Sequence, residues 1–388
     1  MSRASTVGVL VLAAAVGLLL SVYGPAIPEL QASYGVGGAG AALVLSAHFA
    51  GAMTGIGWWG LERRLAPRTW LLVAVVMLVA GAAGVAFAPA WPVVLVAAFG
   101  VGVGFGVVVV EINVLFAEAF GQRATAMLNL LGACFGAGAV LGPLAVAATG
   151  GYRAPFCAGA MMAVVSLVLA RDLPRTPRTP APRRERPNLE VVGGFVALCT
   201  LYVGVESGIG GFETTSLRAG GAGEAAAASW TAGYWAALTV GRLLAIPLAL
   251  RLTPPVLAAG SLAVAAAGLG LAHVPVLAPA AYTLTGLALG PVFPSALAWL
   301  AQAAPGARGA TATVFAAANL GGVVLPVVIG RLVDASSPAV IPTTVLVVAV
   351  ACLGTTLLLG RVAAPAVDGS RRRGLRTAGG RGPWSGRR

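Results

Sequence analysis

Two glutamates interrupt apolar stretches of this chain and are its first candidates for chemistry. Glu111 directly follows four valines, and no charged residue occurs between Pro92 and Val110. Glu206 lies in a second apolar stretch, 190–211. A charged side chain at the centre of a membrane span costs about 2.5–3.5 kcal/mol on insertion scales, so such residues usually serve a function. We interpret both carboxyls as groups that bind and release protons. The alternative is a carboxyl that hydrogen-bonds between helices or lies near a wet helix end.

Six further polar or aromatic side chains within apolar stretches could bind a small polar solute. Amides can hydrogen-bond a solute, aromatic rings can stack on a sugar ring, and an imidazole can also carry protons. Each has a simpler alternative, which is packing or hydrogen bonding between helices. The six residues are His48, Asn113, Asn129, Tyr234, Trp235 and Asn319.

Arg242 lies inside an apolar stretch, whereas most arginines of the chain lie between such stretches. Its guanidinium could bind an anionic group or pair with a carboxylate, and we assign it a gating role. Its long side chain could instead extend towards the membrane surface, with only the methylene stem in the apolar layer.

The composition indicates that these side chains are held by membrane-spanning helices. The chain is 58% hydrophobic and 10% charged, with a mean hydropathy of +0.91, whereas about a quarter of a soluble domain is charged. A span needs roughly 20 mostly apolar residues. Twelve stretches meet this requirement approximately: 6–24, 39–61, 69–88, 92–117, 126–149, 154–170, 190–211, 226–250, 254–272, 277–302, 309–333 and 338–361.

The positive charge orients the chain in the membrane. The formal net charge is +13, and all 25 basic residues are arginines. With twelve spans, all but Arg153, Arg218, Arg242 and Arg331 fall on one side, which predicts cytoplasmic termini and contact with lipids. This placement excludes nucleic-acid binding as the reason for the charge. The absence of lysine is typical of a G+C-rich bacterial genome, and the inner membrane is the expected location.

This orientation predicts that the central and C-terminal arginine-rich segments are both cytoplasmic. In Thr179→Cys and Ser370→Cys variants, the new thiol should therefore be shielded from a membrane-impermeant reagent in intact cells. Labelling should appear only after the membrane is permeabilised. Labelling of either thiol from outside would contradict twelve spans with both ends inside.

A basic, proline-rich segment divides the spans six and six. Residues 171–189 contain five prolines and six arginines and predict an extended linker. Similar motifs recur in the two halves, as in "HFAGAMTG" (48–55) and "YWAALTVG" (234–241), which indicates duplication. The predicted units are an N-terminal six-helix bundle (1–170), a cytoplasmic linker (171–189), a C-terminal six-helix bundle (190–362) and a basic disordered tail (363–388).

Twelve spans in two halves with a basic linker resemble the major facilitator superfamily. That superfamily carries a glycine, then an acidic–basic pair and further basic residues, between its second and third helices. The segment "GIGWWGLERRLAPR" (55–68) offers these residues. The resemblance implies that they form a charged latch at a cytoplasmic gate; plain orienting charge is the alternative. The gating residues are Gly55, Glu62, Arg63, Arg64 and Arg68.

Within the superfamily the chain resembles fucose-permease-like sugar transporters. The stretches that carry this resemblance are 111–143, 202–217, 234–244 and 286–298. Two features depart from that group: Glu111 is only two residues before Asn113, instead of about one turn, and the first span has no acidic residue. A two-site proton relay therefore cannot be transferred to this chain.

We therefore predict an all-α integral membrane protein with twelve helices in two pseudo-symmetric bundles. The implied function is secondary active transport of a small polar solute such as a sugar, coupled to protons. The alternative is a proton-coupled efflux antiporter for drugs or metabolites. No motif of a hydrolase or a nucleotide-binding enzyme is present, so no enzymatic activity is expected. The expected partners are a solute, protons and lipids, with a monomeric chain, no cofactor, no metal and no nucleic acid.

Overall fold

The protein is described by a computed structural model that covers residues 1–62, 65–173, 189–304 and 308–378. The described residues are almost entirely helical, as apolar segments must be where a lipid environment cannot satisfy backbone groups. The helices of the N-terminal half are α1 Arg3–Ser21, α2 Tyr23–Tyr34, α3 Gly38–Leu61, α4 Pro67–Phe87, α5 Trp91–Phe120, α6 Ala124–Thr149 and α7 Arg153–Leu169.

The C-terminal half repeats this arrangement with seven further helices. The last of them extends beyond residue 363, where the sequence predicted the start of a disordered tail. Most of the predicted linker, 174–188, lies outside the described residues, as do 379–388. The helices are α8 Leu189–Ala219, α9 Glu224–Leu248, α10 Pro254–Leu271, α11 Ala278–Leu289, α12 Val292–Ala303, α13 Arg308–Ala335 and α14 Val340–Ala378.

Two spans are each built from a pair of consecutive helices. α1 continues into α2 through Val22, whose backbone is itself helical. α11 continues into α12 across Gly290 and Pro291. Pro25 and Pro291 lack the N–H that would complete the helical hydrogen bonding, so the hydrogen bonding of each pair is interrupted there.

The described helices account for the twelve predicted spans. Nine segments are long and apolar enough to cross a membrane, and one of them, Trp91–Thr149, contains both α5 and α6. The remaining two are α7, which is shorter, and α9, which contains Glu224 and Arg242. The all-α fold with two six-helix bundles is thus confirmed.

Helices at equivalent positions in the two halves pack against their neighbouring helices in the same way, as the repeated motifs predicted. Gly55 of α3 packs against the backbone of Val103 in α5, and Gly241 of α9 packs against the backbone of Leu287 in α11. At each place a Cβ atom would collide with a carbonyl oxygen, so glycine permits a helix contact that a larger residue would prevent. Gly51 packs against α5 in the same way.

Candidate functional site

A cavity of about 400 Å³ lies between the two halves. It is bordered by the middle of α1, α3, α5 and α6 from one half and of α8, α9, α12 and α13 from the other. Most of its wall is apolar and aromatic, with a few polar groups from both halves. A concave, largely apolar site with convergent polar groups is typical of small-molecule binding.

The cavity faces the side of the bundle on which α1 begins, here called the terminal side. Its wall reaches Asn113 and Leu243, which lie towards that side on α5 and α9. Contacts between the halves lie towards the other side, here called the far side. Ser46 Oγ donates to Val323 O at 2.6 Å, and Gly24 packs against Gly210. The described contacts therefore close the cavity towards the far side.

A carboxylate from the C-terminal half caps a helix of the N-terminal half on the far side. Asp334, near the end of α13, accepts hydrogen bonds from the backbone N–H groups of Gly38 at 2.6 Å and Ala39 at 2.8 Å. The residue preceding α3, Gly37, has no side chain to cap that helix. Asp334 thus satisfies free N–H groups at the positive end of α3 and joins the two halves.

The principal charged feature of the cavity wall is an ion pair between α8 and α9. Arg242 Nη2 lies 2.8 Å from Glu206 Oε1, with side chains 28% and 15% exposed. Tyr234 contributes from behind, since its hydroxyl donates to the backbone oxygen of Glu206 at 3.3 Å. The predicted possibility that Arg242 pairs with a carboxylate agrees with this geometry.

Four of the six predicted solute-binding residues line the cavity. Asn113 and Asn129 come from the N-terminal half, and Trp235 and Asn319 come from the C-terminal half. The amide of Asn113 donates to Val109 O at 2.7 Å, and that of Asn319 donates to Phe315 O at 2.8 Å. These bonds to the preceding helical turn orient the amides on the wall.

The other two predicted solute-binding residues do not line the cavity. His48 is completely buried, and its ring packs edge-on against Tyr23 and Phe105 at centroid distances of 5.3 and 5.1 Å. Tyr234 is also completely buried behind the ion pair. The sequence placed both residues in apolar helices but did not indicate which helical face carries them, and packing turns both away from the solute space.

Glu111 also lies behind the cavity wall, and its role as a proton carrier stays a prediction. Its side chain is fully buried, and Trp59 Nε1 of α3 donates to its Oε2 at 2.7 Å. The neighbouring Ile112 and Asn113 reach the cavity. The hydrogen bond between α3 and α5 is the contact expected of a carboxyl that holds two helices together.

The predicted gate segment lies at the terminal side, across the end of α3 and the start of α4. Gly55 lies within α3 and packs against α5, and Glu62 directly follows α3. Arg68 lies in the first turn of α4. Arg63 and Arg64 lie outside the described residues, so the latch itself stays a prediction.

One buried acid, Glu213, was not predicted from the sequence. It lies on α8, seven residues after Glu206, and is completely buried. Seven residues are two helical turns, so both glutamates lie on nearly the same face about 10 Å apart. The seven-residue spacing from Glu206 could have indicated that Glu213 is buried. However, Glu213 precedes two threonines and lies just beyond the predicted span 190–211, so the sequence suggested an exposed position.

Comparison with known proteins agrees with this architecture. The crystal structure of a D-xylose-proton symporter matches with a TM-score of 0.74 at 15% identity, over 90% of this chain and 96% of that one. The inward open conformation of the xylose transporter XylE from E. coli matches with a TM-score of 0.73 at 14% identity, over 89% and 94%. Identities this low show the fold alone. No curated protein matches the chain in sequence.

The family follows from the sequence itself. A profile of the Major Facilitator Superfamily matches residues 9–216, which is more than half of the chain. The match covers the N-terminal half and continues through the segment of α8 that carries Glu206 and Glu213. With twelve spans, two equivalent halves and a cavity between them, the chain belongs to the Major Facilitator Superfamily of membrane transporters.

Proposed function

We propose that this protein is a secondary active transporter that moves a small polar solute, such as a sugar, together with protons. Its terminal side is then cytoplasmic, and its relatives are the fucose-permease-like sugar transporters. The family membership supports transport. Two proteins of the same fold, a D-xylose-proton symporter and a xylose transporter, support a sugar as the first solute to test.

The Glu206–Arg242 pair on the cavity wall is the observation that carries this proposal. A carboxylate accepts hydrogen bonds and a guanidinium donates them, so together they suit the hydroxyl groups of a sugar. Trp235 adds an aromatic surface on the same side, and Asn113, Asn129 and Asn319 add amides around the cavity. We therefore assign substrate binding to the ion pair, Trp235 and the three asparagines.

The same pair gives a physical reason for proton coupling. Protonation of Glu206 would remove its attraction to Arg242 and free the guanidinium to bind solute or to move with α9. A proton would therefore change the charge on the wall at the place where the solute binds. The loaded protein then changes from the state open on the terminal side to the state open on the far side. In this change the Ser46–Val323 contact and the capping of α3 by Asp334 break, and the terminal side closes.

A proton-coupled exporter of drugs or metabolites is the second candidate. The apolar part of the cavity wall favours it, because Phe49, Phe105, Phe135, Phe293 and Phe315 all line the cavity. Such a surface would suit a flat, hydrophobic cation next to Glu206. Against it, the glycine-rich run of α6 lacks the later glycines typical of exporters, since Val146 and Ala147 occupy their positions.

A thermal-shift panel of sugars, organic acids and cationic drugs on the purified protein separates these candidates. We expect a sugar to raise the unfolding temperature and then to accumulate in vesicles under an inward proton gradient. Glu206→Gln should weaken the stabilisation and strongly lower the accumulation, while the exposed Glu190→Gln should leave both unchanged. Stabilisation by cationic drugs alone, with efflux from loaded vesicles, would establish the exporter instead.

Glu111 gives a separate prediction about the proton path. If it is a proton carrier, Glu111→Gln should abolish pH-driven accumulation but preserve exchange of labelled for unlabelled solute, which needs no net proton movement. Trp59→Phe is the matched variant, because it removes the described hydrogen bond and leaves the carboxyl in place. Equal losses in accumulation and exchange for both variants would assign Glu111 to holding α3 against α5.

A further inference from the structure

Glu213 lies in an unusual environment for a carboxyl group. The Thr231 hydroxyl is its polar neighbour and is itself bonded to Thr214 Oγ1 at 2.9 Å. Neither carboxyl oxygen of Glu213 makes a hydrogen bond within the described part of the chain. A carboxylate buried without donors or a cation would be very costly in free energy, whereas a neutral acid is tolerated.

The groups that face Glu213 offer no positive charge to balance it. From α9 and α11, Tyr234 and Tyr282 lie within electrostatic range of its carboxyl, and the Tyr282 hydroxyl donates to Ser216 at 3.0 Å. On α8 itself the flanking charged residues are Glu206, two turns before Glu213 on nearly the same face, and Arg218, five residues after it and about 140° around the helix. Arg218 pairs with Glu224 at 3.5 Å. Arg242, the partner of Glu206, is already engaged at 2.8 Å. The surroundings therefore favour a Glu213 that carries its proton.

Glu213 also lies between two spaces that belong to opposite sides of the protein. The main cavity extends along α8 from Tyr202 to Gly211, two residues before Glu213. A second hollow of about 160 Å³ lies on the far side and includes Thr214, the next residue of α8. The Trp235 indole lines the main cavity and packs against Gly210, three residues before Glu213.

We propose that Glu213 is the residue that takes up the transported proton from the far side and passes it to Glu206. This inference rests on the proposed proton coupling. When the far side opens, the hollow beside Thr214 exposes Glu213 to water. The O–H bond of Glu213 then breaks and an O–H bond forms on Glu206, through water admitted past Trp235. Glu213 is left as a carboxylate that faces the water of the open far side and takes up the next proton from it, and Arg242 is released from its ion pair.

Infrared spectroscopy tests the proton on Glu213 directly, without any solute. The spectrum of the wild-type protein minus that of Glu213→Gln should contain the C=O stretch of one protonated carboxylic acid at neutral pH. Glu190→Gln, which changes an exposed acid at the start of the same helix, should show no such loss. If Glu213→Gln does not elute as a folded monodisperse protein, Glu213→Asp replaces it and should shift the band.

Exchange of this band in D₂O tests access from the far side. We expect the band to shift at least about fivefold faster in Asp334→Asn, which opens the far side more often, than in the wild type. Absence of the band would show that Glu213 is ionised and would overturn the proposal. Equal exchange rates in the two proteins would show a structural acid without access. The thermal-shift panel tests solute binding and does not depend on the infrared band of Glu213. The proposed transport function and the proposed role of Glu213 can therefore fail separately.

Discussion

Arg242→Gln and Glu206→Gln are each expected to lower proton-driven uptake about 10- to 100-fold. Removing one partner of a fully buried ion pair costs about 3–5 kcal/mol. Here the side chains of Arg242 and Glu206 are 28% and 15% exposed, so solvent reduces the cost to about 1.5–3 kcal/mol. Each single variant leaves one uncompensated charge on the wall where the solute binds. Initial uptake rates in vesicles measure the effect.

The double variant Glu206→Gln with Arg242→Gln separates charge balance from coupling. It removes both charges, so exchange of labelled for unlabelled solute should recover relative to the single variants, while proton-driven accumulation should stay abolished. The control is Glu190→Gln, which changes an exposed acid at the start of α8. It should leave uptake unchanged. Full proton-driven accumulation in the double variant would refute coupling through this pair.

Asp334→Asn is expected to shift the protein towards the state that is open on the far side by about fivefold. The carboxylate accepts two N–H bonds at the start of α3, and an exposed interaction of this kind contributes about 1 kcal/mol. Asparagine keeps the shape but loses the charge. Spin labels at Ser33→Cys and Ser337→Cys, which are exposed on the far side in opposite halves, should report a larger population of long distances. The four native cysteines are replaced in this background.

Glu29→Gln is the matched control for Asp334→Asn. Glu29 accepts a hydrogen bond from the backbone N–H of Tyr152 at 3.1 Å, next to the start of α7. The chemistry is the same, but both partners belong to the N-terminal half. Its loss should lower stability without changing the distance distribution. An equal shift in both variants would mean that helix capping in general, and not the contact between halves, sets the population.

The sequence by itself determined the spans, their number and their division into two halves. These features depend on local composition, because each span must satisfy its own backbone hydrogen bonds in lipid. The Pro and Gly residues at the interruptions of the first and tenth spans are local signals as well. The repeated motifs 48–55 and 234–241 each end in a glycine, and Gly55 and Gly241 make close helix contacts at equivalent places.

Only the tertiary structure decided which polar side chains share a space. Apolar residues surround these helices on all sides, so the pattern along the sequence does not reveal which face meets lipid, a neighbouring helix or the cavity. Glu206, Arg242 and Trp235 therefore turned out to lie on the wall, whereas His48 and Glu111 lie behind it. The capping of α3 by Asp334 joins residues almost 300 positions apart. Such contacts arise from packing of the two halves, which no local stretch encodes.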